Sequence, residues 1–380
     1  MALKKILSFF FFVVWGIGCC SLSVASEESV TLPDGYAGIE DHLPDDMAEL
    51  LPEGLFSQTP EEALAAAETL TRPEYLLRVI LELVGLRMNE VLSLFCTLLG
   101  ILCLSAILHR LRETLSGGGE GVAFCMRLCL YALMVTQAAG MVSWLKTYFS
   151  NLCALLTGLI PVMGTLYALG GNVTEAAANG GILTIFLNFC EYVTAYVTPA
   201  VCGVSLALAL LDAFGSQQVR FAPLGGLIKR WYITILGFVT FLLGVALSTQ
   251  TILASRTDTL SMKGIKYAVG QMIPVVGGAV SGTLGTVAAG VELLRGVSGV
   301  CGLILLGLLL LPTLIQLLLF RACYQTAATV AAMIGCDGEA RLLGEVESLY
   351  GYMIAATGIS SVLCVLALSL FAHGATALGG

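Results

Sequence analysis

Charge is scarce in this chain. Only 12% of its 380 residues are Asp, Glu, Lys or Arg, 57% are hydrophobic, and the mean hydropathy is +0.92. Those values exclude an ordinary soluble globular fold, which carries about twice that share of charge. Basic residues are nearly missing between 26 and 75, where thirteen of the twenty-six acids meet a single base, Arg72. A surface of that sign repels nucleic acid and anionic lipid, so DNA binding is excluded as a working idea. Cysteine is absent from 26–90, although the chain has thirteen in all. A segment without cysteine has no disulfide framework. There is no CxxC pair and no His/Cys cluster at zinc spacing; Cys125 and Cys129, one helical turn apart, read as membrane packing. The sequence also contains no HExxH, no GxxxxGK[ST] and no GxSxG, so neither an enzyme, a cofactor nor a metal site is expected.

What remains is a series of apolar runs, several of which reach the roughly 20 residues that a bilayer requires. Lys4 and Lys5, the run 6–18 and the small residues Ser23-Val24-Ala25 have the layout of a signal peptide over 1–25, with a lipoprotein site at Cys19 and an uncleaved anchor as the alternatives. Residues 26–90 follow as an acidic exported segment. It has too few large apolar side chains for a core of its own, and it ends in an amphipathic helix, 75–87, expected at the membrane surface. A first span at 91–109 leads through Arg110 and Arg112 to a Gly117-Gly118-Gly119 linker, closing a unit at 121. With an exported N-terminus those arginines fall on the cytoplasmic side, as the positive-inside rule requires. Spans are then expected near 126–146, 149–170 and 182–211, forming one unit over 122–211. A second unit over 212–325 has spans near 231–253, 267–290 and 296–320, and a last span near 350–372 lies within 326–380. The fold class is all-α, a polytopic membrane protein with seven to eight transmembrane helices.

Within the second unit the stretch Ile273-Pro274-Val275-Val276-Gly277-Gly278 stands out, because Ile160-Pro161-Val162-Met163-Gly164 repeats it 113 positions earlier. Thr136-Gln137 falls on Thr249-Gln250, and Pro199 on Pro312, in the same register. A duplicated three-span unit reverses its direction when copied, so the repeats are expected to be inverted, with proline-softened helices facing each other near the midplane. Candidate gate or packing residues are Pro161, Gly164, Pro274, Gly277, Gly278 and Gly282, the last two at the Gly-xxx-Gly spacing that permits close helix contact. Glu191 lies inside an apolar run, where a carboxylate must be paired, protonated or wet. It reads either as an ion or pore-lining group or as a partner of Arg127 or Arg295. Gln137 and Gln250 are candidates for hydrogen bonds between helices. Asp258, Lys263 and Lys266 are expected on a solvated face of an amphipathic stretch.

The run Thr257-Asp258, Lys263-xx-Lys266 and Ile273-Pro274-Val275-Val276-Gly277, continuing to 296–311, resembles the stage III sporulation protein AE family. The Leu159-Ile160-Pro161 to Gly170-Gly171 region and the order of leader, acidic segment and spans fit it too, whereas Thr259 stands where the family tends to have glycine. The resemblance implies a component of the trans-envelope channel of endospore formers, in the mother-cell membrane around the forespore, with its N-terminal part exported. It implies as partners other stage III sporulation membrane proteins and a secretion-type ATPase, and it assigns no catalytic residues. A stand-alone secondary transporter and a passive membrane scaffold are the alternatives.

Overall fold

The computed structural model describes residues 73–114, 119–214, 222–272 and 277–373, so the expected signal peptide, the acidic segment up to 72 and Pro274 lie outside the described residues. Every element is helical: α1 (Pro73–Thr114), α2 (Gly119–Leu169), α3 (Val173–Tyr192), a π-helical turn (Val193–Val197), α4 (Thr198–Phe214), α5 (Ala222–Met272), α6 (Gly277–Met333) and α7 (Asp337–His373). Among the described residues six helical stretches are long and apolar enough to cross a membrane, with α3, the π turn and α4 together forming one of them. This is the architecture of a polytopic membrane protein.

The helices are longer than the sequence pattern predicts. The break expected near 147–148 does not occur: α2 is one helix of 51 residues and runs straight through Pro161. Its ring lies on the exposed side of the helix, where the missing N–H and the crowding of a preceding carbonyl disturb no neighbour. The surface helix expected at 75–87 continues into the first span as α1, opened by Pro73 at the position where a missing N–H matters least. The segments 254–266 and 321–349, expected as loops, are also largely helical, belonging to α5 and to the ends of α6 and α7.

Two hairpins close in the same way. At the end of α2, Gly171 has φ 79°, Asn172 N–H donates to the Tyr167 carbonyl (2.8 Å) and Gly171 N–H to that of Ala168 (3.0 Å). At the end of α6, Gly335 has φ 84°, with Cys336 N–H bonded to Ala331 O and Gly335 N–H to Ala332 O. Both are Schellman caps, which require a left-handed residue that glycine adopts without strain. In each case the capping residue also starts the next helix: Ala176 N–H bonds Asn172 O, and Ala340 N–H bonds Cys336 O.

α6 is the central helix. Leu303 to Leu306 and Leu308 to Leu311 are all buried. A helix that hides every face must be surrounded by its neighbours. α7 packs along it, and a Cβ on Gly302 would sit 3.1 Å from Leu368 Cδ2 and 3.4 Å from Leu159 Cδ1, so α2 and α7 both press against the α6 backbone. Between membrane helices such close approach supplies dispersion energy where the hydrophobic effect supplies little. Near the other end of α6, Phe320 lies against Trp144 (4.8 Å between ring centroids) and Tyr350 (6.1 Å), tying α2, α6 and α7 together. The π turn precedes Pro199, which has no N–H for the ordinary helical bond. The chain widens there, with Thr198 N–H and Oγ1 both reaching the Val193 carbonyl.

Candidate functional site

Polar side chains gather in three places along the bundle. At the hairpin between α2 and α3, Asn172, Glu175 and Asn179 are all buried. Asn172 Nδ2 donates to Glu175 Oε2 (2.6 Å), while Asn179 donates to the Tyr167 hydroxyl (3.0 Å) and accepts from Thr251 Oγ1 of α5 (2.9 Å). Asp258, also on α5 and only 7% exposed, accepts from the backbone N–H of Thr174 (3.1 Å) and of Glu175 (3.2 Å). The first N–H groups of a helix have no partner within it, and the helix dipole favours a negative charge there. Asp258 is thus a cap for α3 supplied by another helix. The solvated face expected for it is corrected: its charge is held by backbone donors inside the bundle, whereas Lys263 is exposed.

The opposite end is held by ion pairs. Lys229 of α5, 1% exposed, reaches Glu345 Oε2 (2.5 Å) and Ser348 Oγ (3.0 Å) of α7, with the Tyr352 ring 5.8 Å away. Arg321 of α6 donates to Glu347 (2.6 Å), and a Cβ on Gly351 would meet its guanidinium carbon at 3.2 Å. Arg127 of α2 stands 3.7 Å from Glu339, whose carboxylate also accepts from Ser105 of α1 (2.8 Å). Beside this group, burial and then the Glu339 charge push the Cys336 thiol above its ordinary pKa. These charges end the apolar part of α7. Removing one member of a buried pair is costlier than the pair itself is worth, because it strands the other.

The third place is mid-bundle, on the outside. Tyr148 bonds Ser361 (2.6 Å), and Ser361 is about 21 Å along α7 from Glu347 at 1.5 Å per residue. Lys146 lies half a turn from Tyr148 on α2 and is exposed; so is Glu191 on α3. Neither forms an ion pair among the described residues. The neighbouring polar groups are self-satisfied: Thr147, Thr184 and Asn188 bond carbonyls of their own helices. A lysine at the centre of a bilayer costs about 2.5–3.5 kcal/mol, and such residues normally face protein or water.

Of the residues singled out from sequence, Glu191 has neither expected partner in view, since Arg127 is engaged by Glu339 and the Arg295 side chain lies outside the described residues. Gln137 is half-buried on α2, and Gln250 is exposed on α5. Gly164 is half-buried, two turns before the hairpin, and a Cβ there would meet nothing within 4 Å. Gly277, Gly278 and Gly282 lie in the opening turns of α6.

The profile of stage III sporulation protein AE matches residues 56–375. The chain belongs to that family. The stage III sporulation protein AE of Bacillus subtilis (strain 168) is 24% identical over 280 residues, which cover 73% of this chain and 68% of that one. No solved structure matches. Within the AE-family match fall both polar ends and the mid-bundle face, so every contact described above belongs to the part that defines the family. The capping aspartate stands in the Thr257-Asp258 motif of the resemblance, while Lys229, Arg321 and the acids of α7 carried no sequence signal. Their spacing matches no motif, and their partners lie on other helices. The Gly170-Gly171-Asn172 turn followed by Glu175 was the readable sign of the hairpin.

Proposed function

We propose that this AE-family member is a membrane component of the mother-cell side of the sporulation trans-envelope channel, serving as a conduit or assembly core for late forespore development. It acts without catalysis of its own and alongside other stage III membrane proteins and a secretion-type ATPase. The observation that carries the reading, beside family membership, is where the polar groups sit. The centre of the bundle is filled by α6, where Leu303 to Leu306 and Leu308 to Leu311 are all buried, while Lys146 and Glu191 are exposed. A stand-alone secondary transporter keeps its ionisable residues at a midplane site between helices. A bundle whose buried charges are confined to its two ends, and whose mid-bundle ionisable residues Lys146 and Glu191 face outward, fits a subunit of a larger assembly better.

Orientation follows the same reasoning. Arg110 and Arg112 close α1 at the end of the bundle where Lys229, Arg230 and Arg321 lie, whereas Asp258 and the α2–α3 hairpin form the other end. Bases lie at the other end too, Arg256 and Lys263 of α5, so the proposed orientation, with the first end cytoplasmic and the N-terminal segment exported, rests on Arg110 and Arg112 flanking the first span. The Ile-Pro-Val elements around Pro161 and Pro274 are proposed as a gate or packing hub of this assembly. Leucine at Pro161, Pro274 and Gly277 should stall sporulation after engulfment at normal protein levels, and unimpaired spores from all three variants would refute the gate. The channel reading is tested by affinity purification from sporulating cells and by liposome flux. Co-purification of stage III membrane proteins with no ion-driven solute uptake by the chain alone is expected; uptake without partners would overturn it in favour of the transporter.

A further inference from the structure

We infer that the chain associates with a second copy of itself through the outer face of α2 and α3, where Lys146 and Glu191 meet their counterparts. Both side chains are exposed, neither has an ion partner among the described residues, and both lie deep between the charged end at Glu347 and the far end of α7. Lipid is a poor neighbour for them, and the distance to either end exceeds what a side chain spans by reaching for the headgroups. Around them Ser143, Ser150, Thr184 and Asn188 are exposed, together with the larger Ile185, Tyr192 and Tyr196. Hydroxyl and amide side chains let membrane helices hydrogen-bond across the contact.

The choice of occupant rests on charge. The face carries one base and one acid, so it is neutral overall and complementary to itself, the condition for a symmetric contact in which the same patch serves on both subunits. Elsewhere the exposed surface is of a different kind. α5 presents Trp231, Phe238, Phe241, Leu242 and Leu253, an apolar surface that lipid covers without cost. The inference is independent of the sporulation reading, because it concerns only copies of this chain in a bilayer.

The test uses full-length protein, purified and reconstituted in phosphatidylcholine–phosphatidylglycerol vesicles, with donor and acceptor fluorophores on separate copies. Energy transfer is read as a function of the protein-to-lipid ratio. The wild type is expected to associate. Lys146→Glu gives each face two acids and Glu191→Lys gives each two bases, so either variant alone should need at least a tenfold higher ratio. Mixing the two variants pairs an acidic face with a basic one and should restore transfer. A misfolded variant cannot be rescued in that way, so restoration separates repulsion from damage. Wild-type protein that stays monomeric at every ratio, including one that cross-links in cells to a different protein, overturns the inference. So does a mixture that transfers no better than either variant alone.

Discussion

Removing the Asp258 carboxylate tests whether a helix can depend on a cap carried by another helix. The carboxylate Oδ2 accepts both Thr174 N–H and Glu175 N–H, at 3.1 and 3.2 Å. A hydrogen bond to a charged group contributes about 1.5–3 kcal/mol, and loss of an ordinary N-cap about 0.5–2 kcal/mol. Because one oxygen serves both donors at fairly long range, the two bonds do not add fully, and Asp258→Ala should cost about 2–3 kcal/mol of local stability at the start of α3. At about 1.4 kcal/mol per factor of ten, opening of the first turn becomes roughly 30- to 150-fold more frequent. Hydrogen exchange read by mass spectrometry on peptides covering 172–178, in lipid nanodiscs, measures that factor directly. Asp258→Asn keeps an acceptor of the same shape and loses only the charge, so its effect should be about 1 kcal/mol, in the range of a charge at a helix terminus. Exchange within threefold of wild type in Asp258→Ala would refute the capping account, and equal damage from alanine and asparagine would refute its division into charge and geometry.

Three further expectations come from other contacts. Gly335→Ala forces a side chain into φ 84° and should lower stability by about 1–2 kcal/mol, whereas Gly344→Ala, in the open interior of α7, should be neutral or stabilising; melting in detergent compares them. Lys229→Met strands Glu345 and should cost up to about 3 kcal/mol, the 21% exposure of Glu345 reducing the penalty, and Lys229→Met with Glu345→Leu should recover most of it in a thermal double-mutant cycle. The Cys336 thiol has a raised pKa in the folded protein, so its contribution is complete below the unfolded value of about 8.5 and is lost as pH climbs through the folded one. Its alkylation profile in native protein should therefore rise at higher pH than in denaturant, and coincident profiles would disprove the shift.

The helical membrane class was legible because long apolar runs leave no alternative fold, and the α2–α3 turn was legible because Gly170-Gly171-Asn172 carries its own punctuation. Helix length was not. Spans expected at 126–146 and 149–170 leave a break near 147–148, yet Thr147 bonds the Ser143 carbonyl and the helix continues through it. Segment 321–349 was expected as the loop between two spans, but it is largely helical and Arg321 and Glu347 neutralise each other across two helices, a pairing that one-dimensional spacing does not encode. Asp258 shows the same limit from the other side. Its motif could be read, but its burial comes from Thr174 and Glu175, some eighty positions away on another helix. Glu191 stands out in the sequence as a charge inside an apolar run, and only the structure gives its outward direction.

The Lys229–Glu345 pair also orders events during synthesis. The two residues are 116 positions apart, and α5, the intervening α6 and then α7 are made one after another. α5 therefore enters the bilayer while its counter-charge is still unmade, and its N-terminal end must wait in the headgroup layer with the ammonium hydrated. The α6–α7 hairpin arrives differently, since Arg321 and Glu347 lie on its own two arms and enter already neutralised. Delivery of that hairpin gives Lys229 its partner. The charged end of the bundle is thus completed only by α7, and a chain truncated before Asp337 lacks the carboxylate that pairs with Lys229.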